Sequence, residues 1–185
     1  MEKQRIFFDL DGVLVIWQDV PQERVAQKGY FSCLPAHENV VAAFRLLEKL
    51  PDIEPYILSC VLQDNHSEDD KKTWVANHLS LPEERQIYCP CCSEKAKALK
   101  KIGGIRPSDV LIDDFTDNLR SWTGIPIKLY TGITGNNGTW KGVSVYFAMR
   151  PETIAKQIYA MSAIQPYSIL QRIACWHSVF PSIAC

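Results

Sequence analysis

The chain has 185 residues, of which 46% are hydrophobic and 22% charged, so it is long enough and apolar enough to form one globular domain around its own core. Its 20 basic and 21 acidic residues give a net charge of −1, which provides no bulk electrostatic reason to bind nucleic acid or an anionic membrane. No apolar run approaches the roughly 18 residues of a membrane-spanning helix, so no membrane partner is expected.

The first predicted element is a strand over residues 5–9, which leads directly into two carboxylates, Asp9 and Asp11, followed by Gly12. A continuous apolar approach is typical of a strand buried on both faces in a parallel sheet. A spacing of two places both acids on one side of a strand, and clustered carboxylates repel one another unless a cation such as Mg²⁺ compensates. The alternative is that the two acids only cap a turn, because Asp-Gly is a common turn signal.

Residues 14–36, called the insertion below, break the regular pattern and carry the aromatic side chains Trp17, Tyr30 and Phe31. A segment directly after the first strand can cover a site as a small cap, and the alternative is a simple surface loop. Aromatic faces can stack on a nucleobase or a sugar, so these three residues are candidate substrate contacts. The other interpretation is that Phe31 packs in the core beneath Leu34 and that only Trp17 approaches a substrate.

Helices and strands then alternate through the middle of the chain. Helices are predicted over 37–50, 68–79 and 94–102, and strands over 55–60 and 86–89. The strand at 55–60 contains Ser59 near its end, whose hydroxyl can bond a phosphate oxygen. Lys95 lies at the start of the third of these helices and can neutralise a phosphate or an acid, although lysines are most often on the surface.

A later apolar strand, predicted over 109–113, resembles the first strand in that it ends in paired acids, Asp113 and Asp114. The remaining predicted elements are a helix at 116–121, strands at 126–130 and 143–147, and a helix at 151–162. This alternation predicts an α/β fold, a doubly wound parallel sheet with a small insertion after the first strand. We expect one domain over 1–164, followed by a tail over 165–185 whose weak periodicity leaves its role unknown.

The seven cysteines form an odd set without the spacing of a disulfide framework, and the opening residues do not resemble a secretory signal. We therefore expect reduced thiols in a cytoplasmic protein. The run Cys89-Pro90-Cys91-Cys92 lacks a second cysteine or histidine pair at zinc-site spacing, which makes a structural zinc the weaker interpretation.

The order of these motifs resembles the haloacid dehalogenase (HAD) superfamily of phosphatases. Asp9-Leu10-Asp11-Gly12 is similar to its first motif, Ser59 to its second, Lys95 to its third and Asp113-Asp114 to its fourth. The resemblance covers about residues 5–130, and the first and fourth motifs are its specific parts. More narrowly, the motifs resemble the 5′(3′)-deoxyribonucleotidase-like branch, whose cap is larger than this insertion, so nucleotide specificity stays open.

The resemblance implies a Mg²⁺-dependent phosphomonoester hydrolase. Asp9 would attack phosphorus and form an aspartyl-phosphate, and Asp11 would protonate the leaving oxygen and then activate water. The metal would be held by the Asp9 carboxylate, the Asp11 backbone carbonyl and one acid of the fourth motif. The nucleotidase pattern favours Asp114 as this ligand with Asp113 behind it, and the opposite assignment remains open.

The same resemblance assigns the phosphate contacts. Ser59 would donate to the transferring phosphoryl group and Lys95 would balance its charge, with Lys97 as the alternative lysine. The implied partner is a small phosphorylated metabolite, with (deoxy)nucleoside monophosphates among the candidates, and the oligomeric state is left undefined.

Two other classes of function compete with hydrolysis. A phosphorylatable receiver domain also combines acids with a hydroxyl and a lysine, but its paired acids follow the first strand and a lone Asp follows the third, unlike the pattern here. A catalytically silent or regulatory protein that binds a phosphorylated ligand on the same fold is the main alternative, because a fold does not fix a function.

Overall fold

The computed structural model describes residues 2–132, 139–162 and 166–181. Within them the chain forms a six-stranded sheet. Its strands are β1 (Gln4–Phe8), β2 (Ile53–Val61), β3 (Gln86–Pro90), β4 (Val110–Asp113), β5 (Ile125–Tyr130) and β6 (Ser144–Tyr146). The strand order is β3-β2-β1-β4-β5-β6, and every neighbouring pair is parallel. The predicted α/β fold with a doubly wound parallel sheet is confirmed.

The apolar sequence of β1 explains why the sheet is covered on both faces. Ile6 and Phe8 belong to the larger core and Phe7 to a smaller one, and all three side chains are fully buried. Successive side chains of a strand point to opposite faces, so each face of β1 needs its own layer of helices. Full burial of such a side chain stabilises the fold by about 1.5–3 kcal/mol.

Helices therefore lie on both faces. They are α1 (Gln22–Val25), α2 (Glu38–Glu48), α3 (Ser67–His78), α4 (Lys95–Ala98), α5 (Thr116–Arg120), α6 (Pro151–Met161) and α7 (Pro166–Val179), with 3₁₀ turns at Phe31–Cys33, Glu83–Arg85 and Leu99–Ile102. The larger core contains residues of α2, α3, α6 and α7, and the smaller core contains Leu99, Leu119 and Trp122. None of the helices described is both long and apolar enough to cross a membrane.

The chain changes direction along the sheet between β1 and β4. From β1 it proceeds outward through β2 to β3, and after crossing back it proceeds through β4 to β5 and β6. The carboxyl ends of β1 and β4 therefore border a topological switch point, where open α/β sheets form a crevice for ligands.

The segment expected to be a tail contains the helix α7, which packs against α6. The Trp176 ring is fully buried, 6.3 Å from the Tyr159 ring. The Arg172 guanidinium donates to the Tyr159 carbonyl at 2.8 Å and also bonds the side chains of Ser162 and Gln4. This segment thus helps to cover the larger core, and the expected tail residues 165 and 182–185 lie outside the described residues.

A buried ion pair joins β1 to Asp109, the residue directly before β4, at the opposite end of the sheet from the switch point. The Arg5 guanidinium donates to the Asp109 carboxylate at 2.9 Å and to the carbonyls of Ile102 and Gly104. All of these partners belong to the scaffold, so this charge pair ties elements together and is separate from the acids at the carboxyl ends.

Candidate functional site

The carboxyl ends of β1 and β4 bring the two predicted acid pairs together. Phe8 pairs with Ile112 in the ladder, and the Asp9 backbone N–H donates to the Ile112 carbonyl at 3.0 Å. This bond places Asp9 beside Asp113 at the switch point. Two strands that are more than 100 residues apart in the chain thus supply one acidic site.

Three of these acids converge. Carboxylate oxygens of Asp9, Asp113 and Asp114 lie within 4.8 Å of one another. A cluster of oxygen ligands is the coordination that hard divalent cations prefer. The Asp11 carboxylate lies outside this group and instead contacts Lys71 at 2.5 Å, so its side chain is available for a different role.

Gly12 allows the turn after β1 to approach this acidic group. Its φ is +75°, and a Cβ placed on it would lie 2.3 Å from Oδ2 of Asp114. A side chain at this position is therefore excluded twice, by the left-handed backbone and by the carboxylate that fills the space.

Replacing Gly12 with Ala is expected to displace the Asp114 carboxylate and to lower the free energy of unfolding by about 1–3 kcal/mol, through backbone strain and overpacking. Gly103→Ala is the matched control, because Gly103 has a φ of +86° but nothing within 4 Å of its added Cβ. Urea unfolding measures the stability, and a Mg²⁺ titration followed by calorimetry measures the site. If both variants bound Mg²⁺ with the same affinity, the close approach of Gly12 to Asp114 would have no consequence for the site.

Lys95 joins the two acid pairs. Its ammonium lies 2.8 Å from Oδ2 of Asp9 and 2.7 Å from Oδ2 of Asp113, and the residue is only 2% exposed. Burial acts to lower the pKa of Lys95, but Asp113 and Asp9 outweigh it and raise this pKa above its usual range, so the lysine is charged. The alternative, Lys97, is exposed and pairs with Glu94 at 3.1 Å, so Lys95 is the lysine that reaches the site.

A second buried lysine, Lys71 of α3, was not anticipated from the sequence. Its ammonium donates to the Asp11 carboxylate at 2.5 Å, to the Ser59 hydroxyl at 3.2 Å and to the Cys60 carbonyl. The Phe31 ring lies 4.7 Å from the same ammonium, within the range of a cation–π contact. Ser59 is fully buried, so Lys71 connects the predicted hydroxyl to the predicted general acid.

The sequence feature that indicates burial of Lys71 is its position on α3. Trp74 and Val75 follow it by three and four residues and are both fully buried, and residues at these spacings share one helical face. A lysine on an apolar face is unusual, but three acids directly before it, at 68–70, make the segment resemble an exposed charged turn.

Lys128 of β5 is the third buried lysine, and it too was missed. Its ammonium donates to the Asp114 carbonyl and to the Thr116 hydroxyl, both at 2.8 Å. Burial lowers the pKa of Lys128. These two bonds fix the backbone that carries the paired acids of β4.

The charges of the site do not balance. Lys71 and Lys95 contact carboxylates of the site, whereas Lys128 bonds the Asp114 backbone carbonyl. The four carboxylates, of Asp9, Asp11, Asp113 and Asp114, exceed these three buried lysines by one negative charge when all are ionised. Burial, followed by the charges of Asp113 and Asp9, raises the pKa of Asp114 to about 8. Burial also raises the pKa of Asp11 and of Asp113. The site therefore favours a further positive charge.

Asp113 and Asp114 have different surroundings. Asp113 accepts hydrogen bonds from Lys95 at 2.7 Å, from the Phe115 N–H at 2.8 Å and from the Asn118 amide at 3.0 Å. Among the residues described, no basic side chain lies within salt-bridge distance of the Asp114 carboxylate. The acid without a basic partner is the one that most needs a cation.

The insertion packs against α3, next to the site. The Gly29 N–H donates to the Asp70 carboxylate at 2.6 Å, and the Trp74 indole donates to the Leu34 carbonyl at 2.8 Å. It contains only the short helix α1 and one 3₁₀ turn. It is therefore a compact segment held by α3, and its role as a cap over the site stays a prediction.

The three candidate aromatic contacts differ in exposure. Tyr30 and Phe31 are buried, with their rings 5.2 Å apart in an edge-to-face arrangement. Trp17 is partly buried and packs on the rim of the larger core. Contact with a substrate stays a prediction for all three, and the burial of Phe31 agrees with the alternative in which it packs in the core.

A polar cavity of about 280 Å³ lies within the insertion. Its lining includes Arg24, Gln27, Lys28 and Tyr30. Burial and the charge of Asp11 raise the pKa of Tyr30, whereas Arg24 lowers it, so Tyr30 lines this cavity and also feels the charge of an acid of the site.

Comparison of the sequence with protein-family models and with curated proteins finds no match.

Proposed function

We propose that the protein is a Mg²⁺-dependent phosphomonoester hydrolase that acts through an aspartyl-phosphate. The observation that carries this proposal is the placement of Asp9, 7% exposed, between the Lys95 ammonium and two further acids at the switch point of the sheet. A second acid, Asp11, lies beside it with a side chain that is 24% exposed. The order of the motifs, which resembles HAD phosphatases, points the same way.

The reaction follows from these two acids. A carboxylate oxygen of Asp9 attacks the phosphorus, and the bond from phosphorus to the leaving oxygen breaks. Asp11, in its protonated form, gives its proton to that oxygen, so an alcohol departs. Asp11 then takes a proton from a water whose oxygen attacks the phosphorus, which releases phosphate and restores the Asp9 carboxylate.

The electrostatics support the role of Asp11 as the acid. Burial raises its pKa, although Lys71 acts in the opposite direction, and a raised pKa favours the protonated form that a general acid needs. The contact with Lys71 also fixes the direction in which the Asp11 carboxylate points. Ser59 and Lys95 remain the proposed partners of the phosphoryl oxygens.

The acids present fit a divalent cation. Asp9 and Asp114 would hold it together with the Asp11 backbone carbonyl, and Asp113, already bonded to Lys95, Phe115 and Asn118, would lie behind them. A bound Mg²⁺ would offset the excess negative charge and polarise a phosphoryl oxygen. The lack of a basic partner for Asp114 among the described residues supports this assignment over the reverse one.

Activity is expected to require Mg²⁺ and to vanish in EDTA. Calcium should substitute poorly, because its larger and looser coordination sphere could engage both oxygens of Asp9 and misplace the nucleophile. Release of phosphate from p-nitrophenyl phosphate, measured in EDTA and after Mg²⁺ or Ca²⁺ is restored, tests this. Full activity in chelator would mean that the acids serve another purpose.

The proposed substrate is a small phosphorylated metabolite, and deoxynucleoside monophosphates are candidates. The test is a panel of phosphorylated metabolites that includes these nucleotides, with phosphate release as the readout. A catalytically silent protein on the same fold is the competing proposal. Binding of a phosphorylated ligand without any turnover in Mg²⁺ would favour it.

A further inference from the structure

Two thiols face one another next to the site, and the proposed hydrolysis uses neither. β2 and β3 pair Cys60 directly with Cys89, and their sulfur atoms lie 3.6 Å apart. Both are free cysteines; Cys60 is partly exposed and Cys89 is buried. A disulfide has an S–S length of about 2.05 Å, so closure needs an approach of about 1.5 Å, within reach of side-chain rotation and a small strand shift.

The surroundings make one of the two sulfurs the nucleophile. A hydrogen bond with Cys60 lowers the pKa of Cys89 to about 7, with burial opposing and Ser93 and Lys95 assisting. The same hydrogen bond and burial raise the pKa of Cys60. The thiolate is the reactive form of cysteine, so we assign the first attack to Cys89, with the more exposed Cys60 sulfur 3.6 Å away to form the bond.

We propose that Cys60 and Cys89 are an oxidation site, at which a peroxide converts the two thiols to a disulfide. The Cys89 thiolate attacks one peroxide oxygen, the O–O bond breaks, and the other oxygen leaves with a proton from solvent as water or an alcohol. The Cys60 sulfur then attacks the sulfenic sulfur of Cys89. Its proton leaves with the sulfenic hydroxyl as water, so the peroxide gains the two electrons that the thiols lose.

The disulfide would disturb the acidic site through Lys71. The Lys71 ammonium is held by the Ser59 hydroxyl and the Cys60 carbonyl, and it in turn holds the Asp11 carboxylate at 2.5 Å. Drawing Cys60 toward β3 moves both of these acceptors. A misplacement of about 1 Å can reduce a reaction rate about a hundredfold, so oxidation is linked to loss of function.

Peptide mapping tests the oxidation site without reference to the proposed hydrolysis. The reduced protein is treated with hydrogen peroxide, its remaining thiols are alkylated, and the digest is analysed by mass spectrometry without reduction. We expect a Cys60–Cys89 linked peptide that disappears with dithiothreitol. Free, alkylated Cys60 and Cys89 after the treatment, or a link confined to Cys91 and Cys92, would overturn the inference.

Single variants test the order of the steps. In Cys60→Ser, the Cys89 sulfenic acid should accumulate and react with dimedone, whereas Cys89→Ser should form no link and little adduct. Cys33→Ser is the control, since Cys33 is exposed on the insertion, and it should form the link like the wild type. A dimedone adduct on Cys60 in Cys89→Ser, at the level of Cys89 in Cys60→Ser, would contradict the order.

The activity readout distinguishes the two proposals. Peroxide should reduce wild-type phosphate release at least tenfold, dithiothreitol should restore it, and Cys60→Ser should lose far less. A mapped disulfide with unchanged activity would refute the link through Lys71. Absence of activity in the reduced protein would instead refute the proposed hydrolysis and leave the mapped oxidation site standing.

Discussion

Replacing Asp9 with Asn is expected to abolish turnover and to leave the fold intact. The amide keeps the size of the side chain but is no nucleophile, and loss of a catalytic nucleophile typically costs several orders of magnitude in kcat. The proposed aspartyl-phosphate cannot form without this carboxylate. The measurement is phosphate release in Mg²⁺, with circular dichroism to confirm that the variant is folded.

Asp117→Asn is the matched control for Asp9→Asn. Asp117 lies on α5 close to the paired acids in sequence, yet it is exposed and its carboxylate pairs with Arg120 at 3.2 Å. The same change of charge there should leave kcat within about twofold, as is usual for surface substitutions. Retention of more than about a tenth of the activity by Asp9→Asn would rule out the covalent mechanism, given the size of the effect expected.

Replacing Lys95 with Met is expected to lower the free energy of unfolding by about 3–5 kcal/mol near neutral pH. Methionine has a similar volume, so the loss comes from charge: the carboxylates of Asp9 and Asp113 lose the ammonium that lies 2.8 and 2.7 Å away. Removing one partner of a buried ion pair leaves an uncompensated buried charge, which costs about this much. Urea unfolding in EDTA measures the change without compensation by a cation.

The loss of unfolding free energy caused by Lys95→Met should depend on pH. Burial raises the pKa of the Asp113 carboxyl and Lys95 acts to lower it, so without the lysine the folded protein binds a proton at Asp113 more tightly than the unfolded chain does. The loss of unfolding free energy should therefore become smaller as the pH falls toward about 4, the pKa of a carboxyl in the unfolded chain, and larger as the pH rises.

Lys97→Met is the matched control for Lys95→Met, because Lys97 is exposed and its ammonium pairs with Glu94, outside the acidic site. It should change the free energy of unfolding by no more than about 0.5 kcal/mol. Equal stability of the two variants at neutral pH would mean that Lys95 does not compensate the buried acids.

The sheet could be predicted because its signal is local. A strand buried on both faces is a short continuous apolar run, and the predicted strands at 5–9, 86–89 and 109–113 differ from β1, β3 and β4 by only one residue at their ends. Paired acids at the ends of two such runs then indicated the switch point without any knowledge of strand order. The structure places Asp9, Asp113 and Lys95 together, as the motif order suggested.

The remaining site residues depend on contacts distant in sequence. Lys71 is 60 residues from Asp11 and Lys128 is 14 from Asp114, and each resembles an ordinary charged residue until the sheet brings its partners together. The helix α7 was missed for a related reason: its sequence shows little periodicity, and packing against α6 stabilises it.

Asp70 and Lys71 are consecutive residues of α3 that hold different parts of the molecule. Asp70 bonds the backbone of Gly29 in the insertion at 2.6 Å, and Lys71 bonds Asp11 at 2.5 Å. One turn of α3 thus connects the insertion to Asp11, the proposed general acid. If the far end of a substrate contacts the insertion, the bonds of Asp70 and Lys71 would link that contact to the orientation of Asp11, so a shortened substrate should lose turnover as well as affinity.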